Sequence, residues 1–130
     1  MKIEHTGFLV PAPVSMGKWY CEHLGFRLLR FAGDDNAGGV FLKDDDSGAV
    51  LEFCKVAGKR LADYRVMDPL QAHLAIESPD PYALAERLTA GGATVVEQTP
   101  NTPGSTRIVL VRDPWGFVLQ LINRVDTLES

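Results

Sequence analysis

The sequence predicts an α+β fold: two tandem βαβββ modules whose strands form a curved, partly open mixed sheet. Two observations carry this reading. The order strand, helix, strand, strand, strand occurs twice along the 130 residues. Glu52 also lies 47 residues after His5, just as Gln120 lies 47 residues after His73. Equal spacing between matching positions in two halves points to an internal duplication, and so to a pseudo-two-fold arrangement of two curved sheets.

The first module covers residues 1–56. Ile3 to Val10 alternates in polarity and reads as a strand that stops at Pro11-Ala12-Pro13. From Val14 to Leu24, Met16, Trp19, Tyr20, His23 and Leu24 recur at three-four spacing, the signature of an amphipathic helix. Gly25 follows where a helix ends in positive φ. Phe26 to Phe31 is a strand, Gly33 to Gly38 a turn, and Gly39–Lys43 with Ala49–Val56 a hairpin across Asp44-Asp45-Asp46-Ser47-Gly48. Residues 57–70 read as a linker, with a short helical turn around Leu61 to Tyr64. The second module covers residues 71–124. Gln71 to Glu77 is its first strand, and Asp80 is the N-cap of a helix with Pro81 in its first position. That helix runs to Ala90 and is stopped by Gly91-Gly92. Thr94 to Glu97, Thr106 to Val111 and Phe117 to Ile122 are strands, the last two joined by the tight turn Asp113-Pro114-Trp115-Gly116. Residues 125–130 form a polar, frayed tail.

Composition narrows the function. Apolar residues make up 45% and charged residues 23%, as in ordinary soluble domains. A net charge of −4 excludes the basic footprint that nucleic acid requires. No run approaches the roughly 18 apolar residues of a membrane span, and Met1-Lys2-Ile3-Glu4-His5 does not open a signal segment. The expected location is the cytoplasm. Cys21 and Cys54 lack a partner cysteine at ligand spacing and read as reduced, packed thiols.

His5, Glu52, His73 and Gln120 each fall within a predicted strand. Glu52 is flanked by Leu51 and Phe53, and Gln120 by Leu119 and Leu121. A carboxylate inside such a strand costs several kcal/mol unless it is paired, protonated or bound to a cation. Two imidazoles and a carboxylate converging between the sheets would meet that cost by binding a divalent metal: Ni, Zn, Mn or Fe. A strand has two faces, however, so Glu52 reads equally well as a solvent-facing residue beside core neighbours. His23 has no counterpart in the other half and reads as structural.

His5-Thr6-Gly7-Phe8-Leu9-Val10 and Trp19-Tyr20-Cys21-Glu22-His23-Leu24-Gly25-Phe26 resemble the opening of glyoxalase-family modules. His73-Leu74-Ala75-Ile76 resembles the second module's metal strand, and Asp113-Pro114-Trp115-Gly116-Phe117-Val118-Leu119-Gln120-Leu121 resembles the family's terminal hairpin. The resemblance to this vicinal oxygen chelate superfamily spans nearly the whole chain, and its terminal motif is the most specific part. It implies paired βαβββ modules, a homodimer, and a divalent metal that chelates vicinal oxygens of a small-molecule substrate. The superfamily includes glyoxalase I, extradiol dioxygenases, an epimerase, fosfomycin-modifying enzymes and metal-free antibiotic-sequestering proteins.

By position, His5, Glu52 and His73 match metal ligands of bacterial glyoxalase I. The fourth position, glutamate in that pattern, is Gln120 here. An amide oxygen can coordinate a metal but cannot take up a proton at neutral pH, which leaves Glu52 as the candidate catalytic base. Leu9 and Val56 stand where glyoxalase I has an arginine and an asparagine that help to hold glutathione. Without those donors a buried carboxylate is poorly paired, which argues against glutathione hemithioacetal as the substrate. The resemblance implies a metal-dependent, lactoylglutathione lyase-like enzyme of the lyase or isomerase type acting on a small oxygen-rich metabolite, with Leu9, Val56, Trp115 and Phe117 lining an apolar pocket. The alternatives are a non-catalytic, drug-sequestering protein of the bleomycin-resistance type, in which Trp115 or Trp19 stacks on the ligand, and a dioxygenase-like member.

Overall fold

Both helices open on a proline, and the two prolines, Pro13 and Pro81, lie 68 residues apart. That position suits proline because its missing N–H has no intrahelical partner to lose. The computed structural model describes residues 1–129; Ser130, the end of the predicted tail, lies outside the described residues. The chain divides into two compact units, Met1–Ala62 and a second that begins at Asp63.

The first unit contains β1 (Thr6–Leu9), α1 (Pro13–Leu24), β2 (Arg27–Gly33), β3 (Gly38–Lys43) and β4 (Val50–Lys55). Its four strands form one mixed sheet in the order β1-β4-β3-β2, with β1 parallel to β4 and the other pairs antiparallel. The second unit contains β5 (Leu74–Glu77), α2 (Pro81–Ala90), β6 (Thr94–Gln98), β7 (Arg107–Arg112) and β8 (Val118–Asn123), in the order β5-β8-β7-β6. The α+β, twice-repeated βαβββ expectation holds.

The duplication extends to the register. Thr6 pairs with Leu51 and Leu74 with Leu119, the same separation in sequence. Each edge hairpin carries a register shift at the matching place, at Leu28/Arg30 between β2 and β3 and at Val95/Glu97 between β6 and β7. Such a bulge adds a residue to one strand and increases its local twist. Sequence periodicity had not revealed either bulge.

In the first unit α1 packs on β3 and β4. Tyr20 meets Phe53 at 5.0 Å between ring centroids, and Val40, Leu42, Leu51 and Phe53 are buried there. Gly17 lets the helix come close, since a Cβ at that position would lie 2.8 Å from Val40 Cγ2. Because strand side chains alternate, Phe41 and Glu52, paired across β3 and β4, lie on the face away from the helix. In the second unit α2 packs on β7 and β8, and Leu88, Val109, Val111, Leu119 and Leu121 are fully buried.

The two helices are capped differently. Asp80 caps α2 locally, accepting a hydrogen bond from the Ala83 N–H at 3.1 Å, as expected. Ala12, at the start of α1, offers no side-chain cap. Asp35, from the turn between β2 and β3, takes that role and accepts from the backbone N–H groups of Val14 (2.8 Å) and Ser15 (2.9 Å), and from the Ser15 hydroxyl.

Several expectations are corrected. His5 and His73 each stand one residue before their strands instead of within them, because β1 and β5 start at Thr6 and Leu74. The predicted linker is divided between the units. Its later part belongs to the second, where the Arg112 guanidinium donates to the backbone carbonyls of Tyr64 (2.6 Å), Met67 (2.9 Å) and Gly116 (3.1 Å). No helical turn forms at Leu61 to Tyr64; a non-helical turn follows at 64–66. The Asp113 turn forms as expected: the Gly116 N–H donates to the Asp113 carbonyl at 2.9 Å, and Gly116 has φ of 92°.

Candidate functional site

Within the first unit the open face of the sheet collects the polar chemistry. His5 Nε2 lies 3.7 Å from Glu52 Oε1, and the two side chains keep 32% and 27% of their exposure, so both are accessible to a small solute. Gly7, paired with Glu52 in register, has no side chain to obstruct that carboxylate. The His5 ring also rests edge-on against Phe41, with centroids 5.3 Å apart.

Each of the two histidines has an oxygen acceptor at Nδ1. His5 Nδ1 lies 2.9 Å from Glu4 Oε1, and His73 Nδ1 lies 2.8 Å from the Pro69 carbonyl oxygen. A carboxylate and a backbone carbonyl accept, so in the neutral imidazole each Nδ1 donates and each Nε2 keeps its lone pair. Holding one ring nitrogen by an oxygen acceptor while presenting the other is how a metal-binding imidazole is oriented. A carboxylate beside such an Nε2 is a donor set that suits a divalent cation.

In the second unit Gln120 is partly buried and pairs with Ala75 and Leu110. It occupies the register position that Glu52 has in the first unit, and His73 stands where His5 does. The described residues contain no cluster of three or more His, Cys, Asp or Glu at metal-binding distances. His5 and Glu52 are the pair brought together within one unit.

Of the expected pocket residues, Leu9 and Val56 fall by alternation on the Glu52 side of the sheet, and Val56 is 50% exposed. Trp115 is partly buried, with its backbone N–H donating to Asp113 Oδ1 at 2.9 Å. Phe117 is fully buried, 5.0 Å from the Tyr64 ring, so it packs the interior of the second unit. Trp19 is likewise buried in the packing of α1, against Tyr20 and His23, and is not placed to stack on a ligand. The Trp19 and His23 ring centroids lie 4.9 Å apart.

Sequence reading missed Cys54 as part of this face. Its thiol is free and shares the strand face of Glu52 two residues away. Burial pushes its pKa up, and the nearby Glu52 charge raises it further. The signal was present in the alternation of β4, but a cysteine between Phe53 and Lys55 reads equally well as core.

A βαβββ unit repeated within one chain, with a histidine ahead of the first strand of each copy, defines a paired-module class of proteins. The chain belongs to the Glyoxalase/Bleomycin resistance protein/Dioxygenase superfamily, whose family model matches residues 2–121. It is 32% identical over 126 residues to a probable lactoylglutathione lyase of Vibrio parahaemolyticus, covering 93% of this chain and 89% of that protein. It is 30% identical over 132 residues to the lactoylglutathione lyase of Haemophilus influenzae, covering 98% and 96%. Among solved structures, a glyoxalase family protein from Bacillus cereus superposes with a TM-score of 0.74 at 18% identity, covering 94% of this chain and 93% of that one. Glyoxalase I from Zea mays superposes with a TM-score of 0.71 at 28% identity, covering 97% of this chain and 46% of the maize protein. Among the described residues, no helix is long and apolar enough to cross a membrane.

Proposed function

We propose that the protein is a metal-dependent, glyoxalase-like enzyme of the lyase or isomerase type, acting on a small oxygen-rich metabolite. The observation that carries this reading is the His5–Glu52 pair, 3.7 Å apart on an open sheet face, with His5 Nδ1 already engaged by Glu4. His5, Glu52 and His73 are the proposed ligands of a divalent metal (Ni, Zn, Mn or Fe), and Gln120 contributes its amide oxygen. When bound, the metal supplies Lewis-acid polarisation of substrate oxygens. The chain's own part is proton transfer and positioning. Glu52 takes a proton from a substrate carbon and returns it, because Gln120 has no proton-accepting group. Leu9, Val56 and Trp115 supply apolar contact to the substrate. We place the enzyme in the cytoplasm as a homodimer.

The relatives named lactoylglutathione lyase support the glyoxalase-like reaction type. Leu9 and Val56, both without a polar donor, weigh against glutathione as the carrier. Gln120 is also what favours the second reading, a protein that sequesters its ligand without turnover, since an amide is a weaker ligand than a carboxylate.

Metal content of the purified protein, set beside a His5→Ala/His73→Ala double variant, decides between the two. Stoichiometric divalent metal in the parent that is lost in the variant is expected. A parent that takes up no metal after incubation with Ni²⁺ or Zn²⁺ would overturn the enzyme reading. With methylglyoxal and glutathione, weak or no turnover is expected.

A further inference from the structure

The open face of the first sheet also carries a cation that the proposed reaction has not used. Arg30 stands on β2 immediately after the bulge and pairs in register with Phe41 on β3. It therefore shares the face of Phe41 and Glu52. Among the described residues its guanidinium makes no ion pair or hydrogen bond, whereas that of Arg27 on the same strand is held by Asp45 at 2.8 and 2.9 Å.

Arg30 lines a cavity of about 250 Å³ together with Glu4, Leu29, Phe41 and Val50. In the strand order β1-β4-β3-β2 these residues run from the segment ahead of β1, through β4 and β3, to β2. The cavity thus crosses the open face. Two of its walls touch His5: Glu4 accepts from His5 Nδ1, and Phe41 meets the His5 ring.

The bulge is not the reason for the arginine. The second unit repeats the bulge and places Glu97, of opposite charge, at the position paired with Leu110. The duplicated scaffold accepts either charge there, so the cation in the first unit is a property of its own cavity. A guanidinium without a partner, beside an aromatic ring and a partly apolar wall, is a fork that binds a carboxylate in two-point fashion.

We propose that Arg30 is the anion-recognition residue of this face, and that the substrate is a small carboxylate whose acid group sits on Arg30 while its other oxygens reach His5 and Glu52. A singly charged carboxylate suits the cavity better than a phosphate, because Glu4 already contributes a negative charge to the same walls. The groove accommodates an acid of a few carbons, and Leu9 and Val56 offer no polar donors to a larger polar conjugate. The orientation towards His5 and Glu52 rests on the proposed function; carboxylate binding at Arg30 does not.

The test is a titration of the EDTA-treated protein with pyruvate, using the neutral pyruvamide as comparison, for the parent, Arg30→Gln and Arg27→Gln. Metal-free protein keeps the result independent of the metal question. Saturable pyruvate binding is expected in the parent and in Arg27→Gln, weakened about tenfold or more in Arg30→Gln, which loses a charge-assisted pair. Pyruvamide should bind no better to the parent than to Arg30→Gln. Unchanged melting temperatures would establish that each variant is folded. Equal pyruvate affinity in the parent and Arg30→Gln, or no saturable binding in the parent, would overturn the proposal. Retained pyruvate binding in a chain that takes up no Ni²⁺ or Zn²⁺ would leave the anion site standing and remove the metal reading.

Discussion

A Cβ placed on Gly7 would lie 2.9 Å from Glu52 Oε1. The glycine on β1 is therefore the space into which the carboxylate on β4 leans. Gly7→Ala is expected to push the Glu52 side chain aside with little effect on the fold, because the obstructing atom is the end of a flexible chain. If Glu52 is a ligand as proposed, divalent-metal affinity should fall about 10-fold or more, the usual consequence of disturbing a ligand's support, while stability changes by less than about 1 kcal/mol. Metal titration alongside thermal melting checks both; a large stability loss with unchanged metal affinity would contradict this account.

Gly17 on α1 behaves differently. A Cβ there would meet Val40 Cγ2 at 2.8 Å and its Cβ and Cγ1 at 3.4 Å, inside the core between helix and sheet. Alanine ordinarily favours a helix over glycine by about 1 kcal/mol. Overpacking a fixed core costs about 1–3 kcal/mol, so Gly17→Ala should lower the urea midpoint. A raised midpoint would show that Val40 gives way easily.

Asp35 holds the start of α1 from 20 residues away. Burial alone would raise its pKa, but hydrogen bonds from the Ser15 side chain and from the Ser15 and Val14 backbone outweigh it and hold the pKa below the usual carboxylate value. A depressed folded-state pKa contributes stability that is present above the unfolded value and is lost as pH falls through the folded one. Asp35→Ala should cost about 0.5–2 kcal/mol at neutral pH, the range of a lost helix cap. The difference between parent and variant should shrink as pH drops through and below the carboxylate range. Denaturant unfolding at several pH values measures it, and a pH-independent difference would be the contrary result.

Cys54 reports on the charge of Glu52. Burial and then the Glu52 charge raise the thiol's pKa, so alkylation by iodoacetamide at neutral pH should be slow, the thiolate being the reactive form. Glu52→Gln removes the second cause, and the pH–rate profile of Cys54 should move to lower pH. Cys21, whose pKa is raised by burial and then by the Glu22 charge against the lowering effect of a backbone hydrogen bond at Leu28, should keep its profile and serves as the internal reference. An unmoved Cys54 profile would show that Glu52 carries no charge beside it.

Much of this molecule could be read from residue order. The 47-residue spacing of His5–Glu52 and His73–Gln120 reappears as identical register between β1 and β4 and between β5 and β8, because two copies with matching strand patterns and equal lengths repeat the same pairing. The cap at Asp80, the proline that follows it and the Asp113 turn are local devices whose partners lie within four residues, so neighbouring letters suffice to predict them.

Features made by distant partners needed the tertiary structure. Alternation shows that Glu52 and Leu51 face opposite ways, but only the seating of α1 on Val40 and Phe53 decides which face stays open. Asp35 as the cap of α1, Arg112 as the clamp on the Tyr64 and Met67 carbonyls, and the Glu4–His5 and Pro69–His73 contacts are side-chain geometries with no periodic signature. The bulges that set Arg30 and Glu97 opposite Phe41 and Leu110 belong to strand pairing, not to a strand's own sequence. Periodicity thus determined the repeated scaffold, whereas packing across the sheets decided which side chains meet.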